Sequence, residues 1–129
     1  MWHERFSTDE YVYGKEPNEF VVETAKLMPK GKVLCIAEGE GRNSVYLASL
    51  GFDVTAWDFA QAGLDKTKQL ADEKGVIVTT EYRDLADVSW EAEQWDAIIQ
   101  IFGHFPEDVM ARTFTGIKKA LKPGGYYIS

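Results

Sequence analysis

At 129 residues the chain has room for one sizeable core, and 45% apolar with 27% charged residues is the balance of an ordinary globular protein, not a disordered one. A net charge of −7 argues against a nucleic-acid backbone as partner and favours small molecules. No run of 18 apolar residues occurs, and no basic stretch leads into an apolar one, so neither a membrane span nor a signal peptide is expected and a cytoplasmic protein is.

The N-terminal stretch mixes charges with aromatics: Trp2, His3, Glu4, Arg5 and Phe6, then Tyr11, Tyr13 and Gly14. Ahead of a first strand, it reads either as an anchor on the outside of a sheet or as a cover over a ligand. Pro17 suits the first turn of a helix, Phe20, Val21, Ala25, Leu27 and Met28 give that helix an apolar face, and Pro29 with Gly31 ends it. Residues 1–30 are therefore expected as a helical cover and 31–129 as the core of a single domain.

The run Val33–Ala37 reads as a buried strand. Its lone cysteine, Cys35, reads as a small buried hydrophobe. Gly39 and Gly41 follow, one residue apart, and then a helix with Val45, Leu47, Ala48 and Leu50 on one side. Strand, Gly-x-Gly turn and helix open a nucleotide-binding βαβ unit. The glycines permit a tight turn and a close ligand, and the helix start offers N–H groups to a carboxylate or phosphate. Gly51 closes the helix. Asp53–Trp57 is the second strand, ending in Asp58 about 20 residues past the glycine turn, where an acid grips a ribose diol in this architecture.

Gln61–Lys74 reads as a helix stopped by Gly75, and Val76–Thr80 as a third strand followed by Asp84. A connection from Asp84 to Trp90 leads into a fourth strand, Trp95–Ile101. Pro106–Leu121 is a helix, with Val109, Met110, Phe114, Ile117 and Leu121 at helical spacing. Pro123, Gly124 and Gly125 turn the chain into a fifth strand, Tyr126–Ile128. Alternating strands and helices predict an α/β fold: a three-layer, Rossmann-like parallel sheet in the order 3-2-1-4-5, with ligand at the carboxyl ends of strands one and four.

The ordered set Val33–Asn43, Asp58, Asp84, Trp95–Ile99 and Leu121–Gly125 resembles the successive motifs of class I S-adenosylmethionine-dependent methyltransferases. The similar branch is the one containing tellurite-resistance and thiopurine methyltransferases, which carry Gly-x-Gly-Arg-Asn and a Trp-Asp at the end of the second strand. Departures are Cys35 at the usual first-strand acid, Ala37 at the first glycine, and Glu38 at a position that is often cysteine. The resemblance implies S-adenosyl-L-methionine as cofactor and a small-molecule methyl acceptor. It places Glu38, Gly39, Gly41 and Arg42 at the methionine end, with Glu38 supplying the missing carboxylate. Arg42 either binds the methionine carboxylate or pairs with Glu38 or Glu40. Asp58 then meets the ribose diol, Asp84 and the Leu85 backbone the adenine edge, and Phe59, Ile101 and, from the cover, Tyr13 also contact the cofactor.

Methyl transfer from a sulfonium needs alignment and exclusion of water, not a metal. In the loop Gln100–Pro106, Phe102 and Phe105 either wall the acceptor or fill the core. His104 either takes a proton from the acceptor or caps the following helix. Two other function classes share these features. A nicotinamide-dependent oxidoreductase uses the same turn and acid, but Ser44 stands where its third glycine belongs. A non-catalytic cofactor-binding module needs no acceptor site. The class I fold normally continues past the fifth strand, so a shortened form is expected, truncated there and self-associating through an exposed strand-five edge.

Overall fold

A computed structural model describes residues 17–36, 41–100 and 106–128. Five strands form one parallel sheet: β1 (Lys32–Ile36), β2 (Asp53–Asp58), β3 (Thr79–Tyr82), β4 (Trp95–Ile99) and β5 (Leu121–Ile128), in the order β3-β2-β1-β4-β5. The helices are α1 (Glu19–Ala25), α2 (Arg42–Ser49), α3 (Gln61–Lys74) and α4 (Glu107–Ala120). The expected topology is the one observed.

Alternation along β1 sorts the core into two halves. Val33 and Cys35 join Val21 and Ala25 of α1, Val45 and Leu47 of α2 and Leu70 of α3 on one face. Leu34 and Ile36 join Trp57, Ile98 and the α4 residues Val109, Ile117 and Ala120 on the other. The last four residues of β1 are buried whichever face they point to, as a central parallel strand requires. Cys35 is a buried thiol in the first of these halves.

Several boundaries differ from the sequence reading, each for a physical reason. Pro17 is not in the first turn of α1: Asn18 is the N-cap, its side chain accepting from the Phe20 N–H at 2.8 Å. Phe20 and Leu27 do not join the apolar face but are exposed, while Val21, Ala25 and Met28 are buried. The third strand is not Val76–Thr80 but Thr79–Tyr82, because its pairing with β2 begins at Thr55 and Thr79. The apolar run 76–78 is the approach to the strand: Val78 is buried, Val76 packs on the core and Ile77 is exposed. β3 itself is a polar edge strand, which periodicity of apolar residues does not reveal. The Pro-Gly-Gly turn ahead of Tyr126 is a bulge inside β5: Trp95 pairs with Leu121 and Ala97 with Tyr126, so four residues of β5, 122–125, stand against the single Asp96 of β4. Gly124, at φ +79°, carries the kink.

Two close packings fix the layers. Gly116 of α4 lies against Trp90, where a Cβ would meet the indole nitrogen, and Trp90 in turn packs on Trp57 with ring centroids 5.3 Å apart. The helix-free connection between β3 and β4 is thereby pinned between sheet and helix. At the amino edge of the sheet, Asp96 accepts from the Lys32 N–H at 2.8 Å and pairs with Lys122 at 3.4 Å, joining β1, β4 and β5. Gly31 gives it room, since a Cβ there would collide with the carboxylate.

The Lys32 N–H, aided by Lys122, holds the Asp96 carboxyl below its ordinary value against the opposing effect of burial. A depressed carboxylate stabilises the fold above its unfolded pKa of about 3.9, and that stability is lost as pH falls through the folded value. Asp96→Asn is expected to cost about 1 kcal/mol near neutral pH. In urea titrations the gap between variant and wild type should narrow below about pH 4; a gap independent of pH would remove the charged role of Asp96.

Candidate functional site

In a parallel sheet all strands end on the same side, and here the winding reverses between β1 and β4. Chain leaving β1 re-enters the described structure at Gly41, which caps α2 with a left-handed φ of +87°. A Cβ at Gly41 would lie 2.6 Å from Thr67 Oγ1 and 2.7 Å from Thr67 Cα. The sequence predicts close approach of a ligand at this glycine; the structure shows it against Thr67, α2 entering directly against α3. Lacking a side chain, Gly41 makes no capping bond to the start of α2. Arg42 is the first residue of that helix and half-buried.

Asp58 ends β2 and is 4% exposed. It is thus no solvated strand-end acid. Its Oδ1 accepts from the Ala60 N–H at 3.1 Å, and its backbone carbonyl accepts from the Arg83 N–H at 2.9 Å. Phe59 follows, half-buried. Asp84 stands two residues past β3 and is exposed; its Oδ1 accepts from the Ala86 N–H at 2.9 Å, capping the turn at 85–87. Leu85 turns its side chain into the core on the α4 face. Because Asp58 pairs in register with Tyr82, the chain brings Asp58 and Asp84 to the same end of neighbouring strands. Tyr13, Glu38, Gly39, Ile101 and His104 lie outside the described residues.

Among the buried polar side chains to which the sequence gives no role, Asn43 and Gln100 stand beside the carboxyl ends of the central strands. Asn43 accepts from the Asn18 N–H at 2.8 Å, fastening the cap of α1 to the first turn of α2. Gln100, just past β4, accepts from the Tyr127 hydroxyl at 3.1 Å and points its amide nitrogen at Met110 Sδ, 3.8 Å away. Their signal is a polar residue next to an apolar run at a strand or helix end, which does not separate them from ordinary turn residues.

A cavity of about 440 Å³ lies elsewhere, on the α4 side of the sheet, with Lys32, Asp53, Thr55, Thr79 and Glu81 in its lining. Neither Asp58 nor Asp84 lines it. Polar residues at alternate positions of β2 and β3 share its lining with Trp57, Trp90 and Trp95.

The carboxyl-end arrangement fits an adenosyl group. Asp58 at the end of β2 and Asp84 just past the end of β3 bring two carboxylates, which accept hydrogen bonds as a diol or an amino group requires, to the end of the sheet where α2 begins. Among curated proteins, the chain is 29% identical over 108 residues to a probable S-adenosyl-L-methionine-dependent methyltransferase TehB of Haemophilus influenzae, covering 82% of this chain and 37% of that one. It is 31% identical over 132 residues to the glycine/sarcosine N-methyltransferase of Aphanothece halophytica, covering 98% of this chain and 47% of that one. The crystal structure of TehB from Haemophilus influenzae superposes with a TM-score of 0.79 at 27% identity, over 91% of this chain and 42% of that one. The chain thus spans less than half the length of these three relatives. The sequence pattern of the tellurite resistance protein TehB matches residues 2–129, nearly end to end, and with the sheet order and the strand-end acids in place the chain belongs to the TehB family.

Proposed function

We propose that the chain is a cytoplasmic S-adenosyl-L-methionine-dependent methyltransferase domain acting on a small molecule. The observation that carries this reading is the pairing of a buried Asp58 with Asp84 at the reversal end of a 3-2-1-4-5 sheet, in a chain of the TehB family. The cofactor supplies a methyl group already activated by a positive sulfur. Asp58 holds the ribose diol beside Phe59, and Asp84 with the Leu85 backbone reads the adenine edge. Arg42 and the α2 N–H groups take the methionine carboxylate, joined by Glu38 and Gly39. Ile101 borders the reacting end, and residues 1–30, Tyr13 among them, cover the cleft over the core at 31–129. With nucleophile, methyl and sulfur in line, the remaining task is to exclude water.

Calorimetry with S-adenosylhomocysteine tests the site. Asp58→Ala should weaken binding by about 1–3 kcal/mol through loss of charge-assisted hydrogen bonds. Gly41→Val should lower the melting temperature as well as the affinity, because the left-handed turn and the Thr67 contact are lost together. A melting temperature raised by NAD and not by S-adenosylhomocysteine would replace this reading with an oxidoreductase one; cofactor binding without methyl release would leave a binding module.

His104 is assigned the acceptor's proton. His104→Ala should lower the methylation rate, leave cofactor affinity nearly intact and flatten the rate profile between about pH 6 and 8. An unchanged rate for every accepted substrate would return His104 to a structural role.

β5 also supports self-association. It forms one edge of the sheet among the described residues, and Tyr126 is 40% exposed on it. The chain is expected to sediment as a dimer at micromolar concentration; a stable monomer would remove this interface.

A further inference from the structure

We propose that Glu81 is a positioning residue for the nucleoside-binding carboxylates, an inference that rests on the cofactor reading above. Each of those acids directly follows a residue held by Glu81: Trp57 precedes Asp58 and Arg83 precedes Asp84. Glu81 uses a different oxygen for each. Its Oε1 accepts from the Trp57 indole N–H at 2.8 Å, and its Oε2 pairs with Arg83 Nη2 at 3.4 Å. The third side of the triangle is closed by the Arg83 guanidinium over the Trp57 ring, 5.9 Å from its centroid. Trp57 and Glu81 are register partners, so the contact bridges β2 and β3 one step short of their ends. One step further, the Arg83 N–H donates to the Asp58 carbonyl.

The three contacts differ in weight. Arg83 and Glu81 are 42% and 37% exposed, so their ion pair is screened. Trp57 is buried, and its indole donor bonds an ionised acceptor, so this bond carries most of the clamp. β3 is a short edge strand, paired on one side only among the described residues. The backbone ladder and the Arg83 N–H bond to the Asp58 carbonyl join its end to that of β2, Glu81 adds the side-chain brace between them, and a site that grips one nucleoside with two acids depends on that spacing.

S-adenosylhomocysteine calorimetry on the whole chain separates this from a stability effect. Glu81→Ala should raise Kd about tenfold, and Glu81→Gln, which keeps an oxygen for the indole, about threefold or less. In an Asp58→Ala background the Glu81→Ala penalty should shrink to about twofold, since a positioning residue has less left to position. Equal penalties in both backgrounds, or equal losses in Ala and Gln, would overturn the inference while leaving the cofactor reading intact. Should Glu81→Ala fail to fold, Trp57→Phe removes the same bond and is expected to show the same coupling to Asp58. No binding by the wild-type chain would remove the cofactor reading and this inference with it.

Discussion

Parallel pairing around β1 is the constraint from which the rest follows. A strand paired on both edges and covered on both faces has no polar exit along its length, so Val33, Leu34, Cys35 and Ile36 are all buried. Parallel partners bring every carboxyl end to one side, and chain reversal at β1 leaves a crevice there. Asp58 and Asp84, 26 residues apart in sequence at the ends of consecutive strands, become neighbours because those strands pair in parallel. The opposite edge shows the contrast: Asp96, just inside the amino end of β4, spends its charge on a backbone N–H and a lysine and serves the fold.

What was legible in the sequence was whatever burial writes into it. The apolar run of β1, the helical spacing in α3 and the positive-φ glycine ending α3 marked those elements closely. β3 was misplaced because an edge strand carries no such run: Thr79, Thr80, Glu81 and Tyr82 are half-buried or exposed, while the apolar residues just before them belong to its approach. The same slip hid Glu81, which a strand ending at Thr80 leaves in a loop.

At the site, residue type and position relative to a strand end were readable, and partners were not. Asp58 announced itself by following an apolar strand. Nothing local distinguished its burial from the exposure of Asp84, since the difference depends on what each turn packs against. The backbone demand at Gly41 is legible from its residue type, but its neighbour is Thr67, 26 residues on, and contacts of that range have no signature in a single chain. Asn43 is similar: its partner lies on the far side of β1 in sequence.

That last bond also sets how the molecule opens. α1 has seven residues, too few to persist as a helix in water, so it exists only while docked. Its dock is the α1–α2 face of the core and the carbonyl oxygen of Asn43. Fraying of the first turn of α2 therefore loosens α1, and undocking of α1 breaks the Asn18 N–H bond to the buried Asn43 amide. The two segments form one cooperative unit of local unfolding, in which amide protons near Asn18 and those leading into α2 exchange with solvent through a shared opening event.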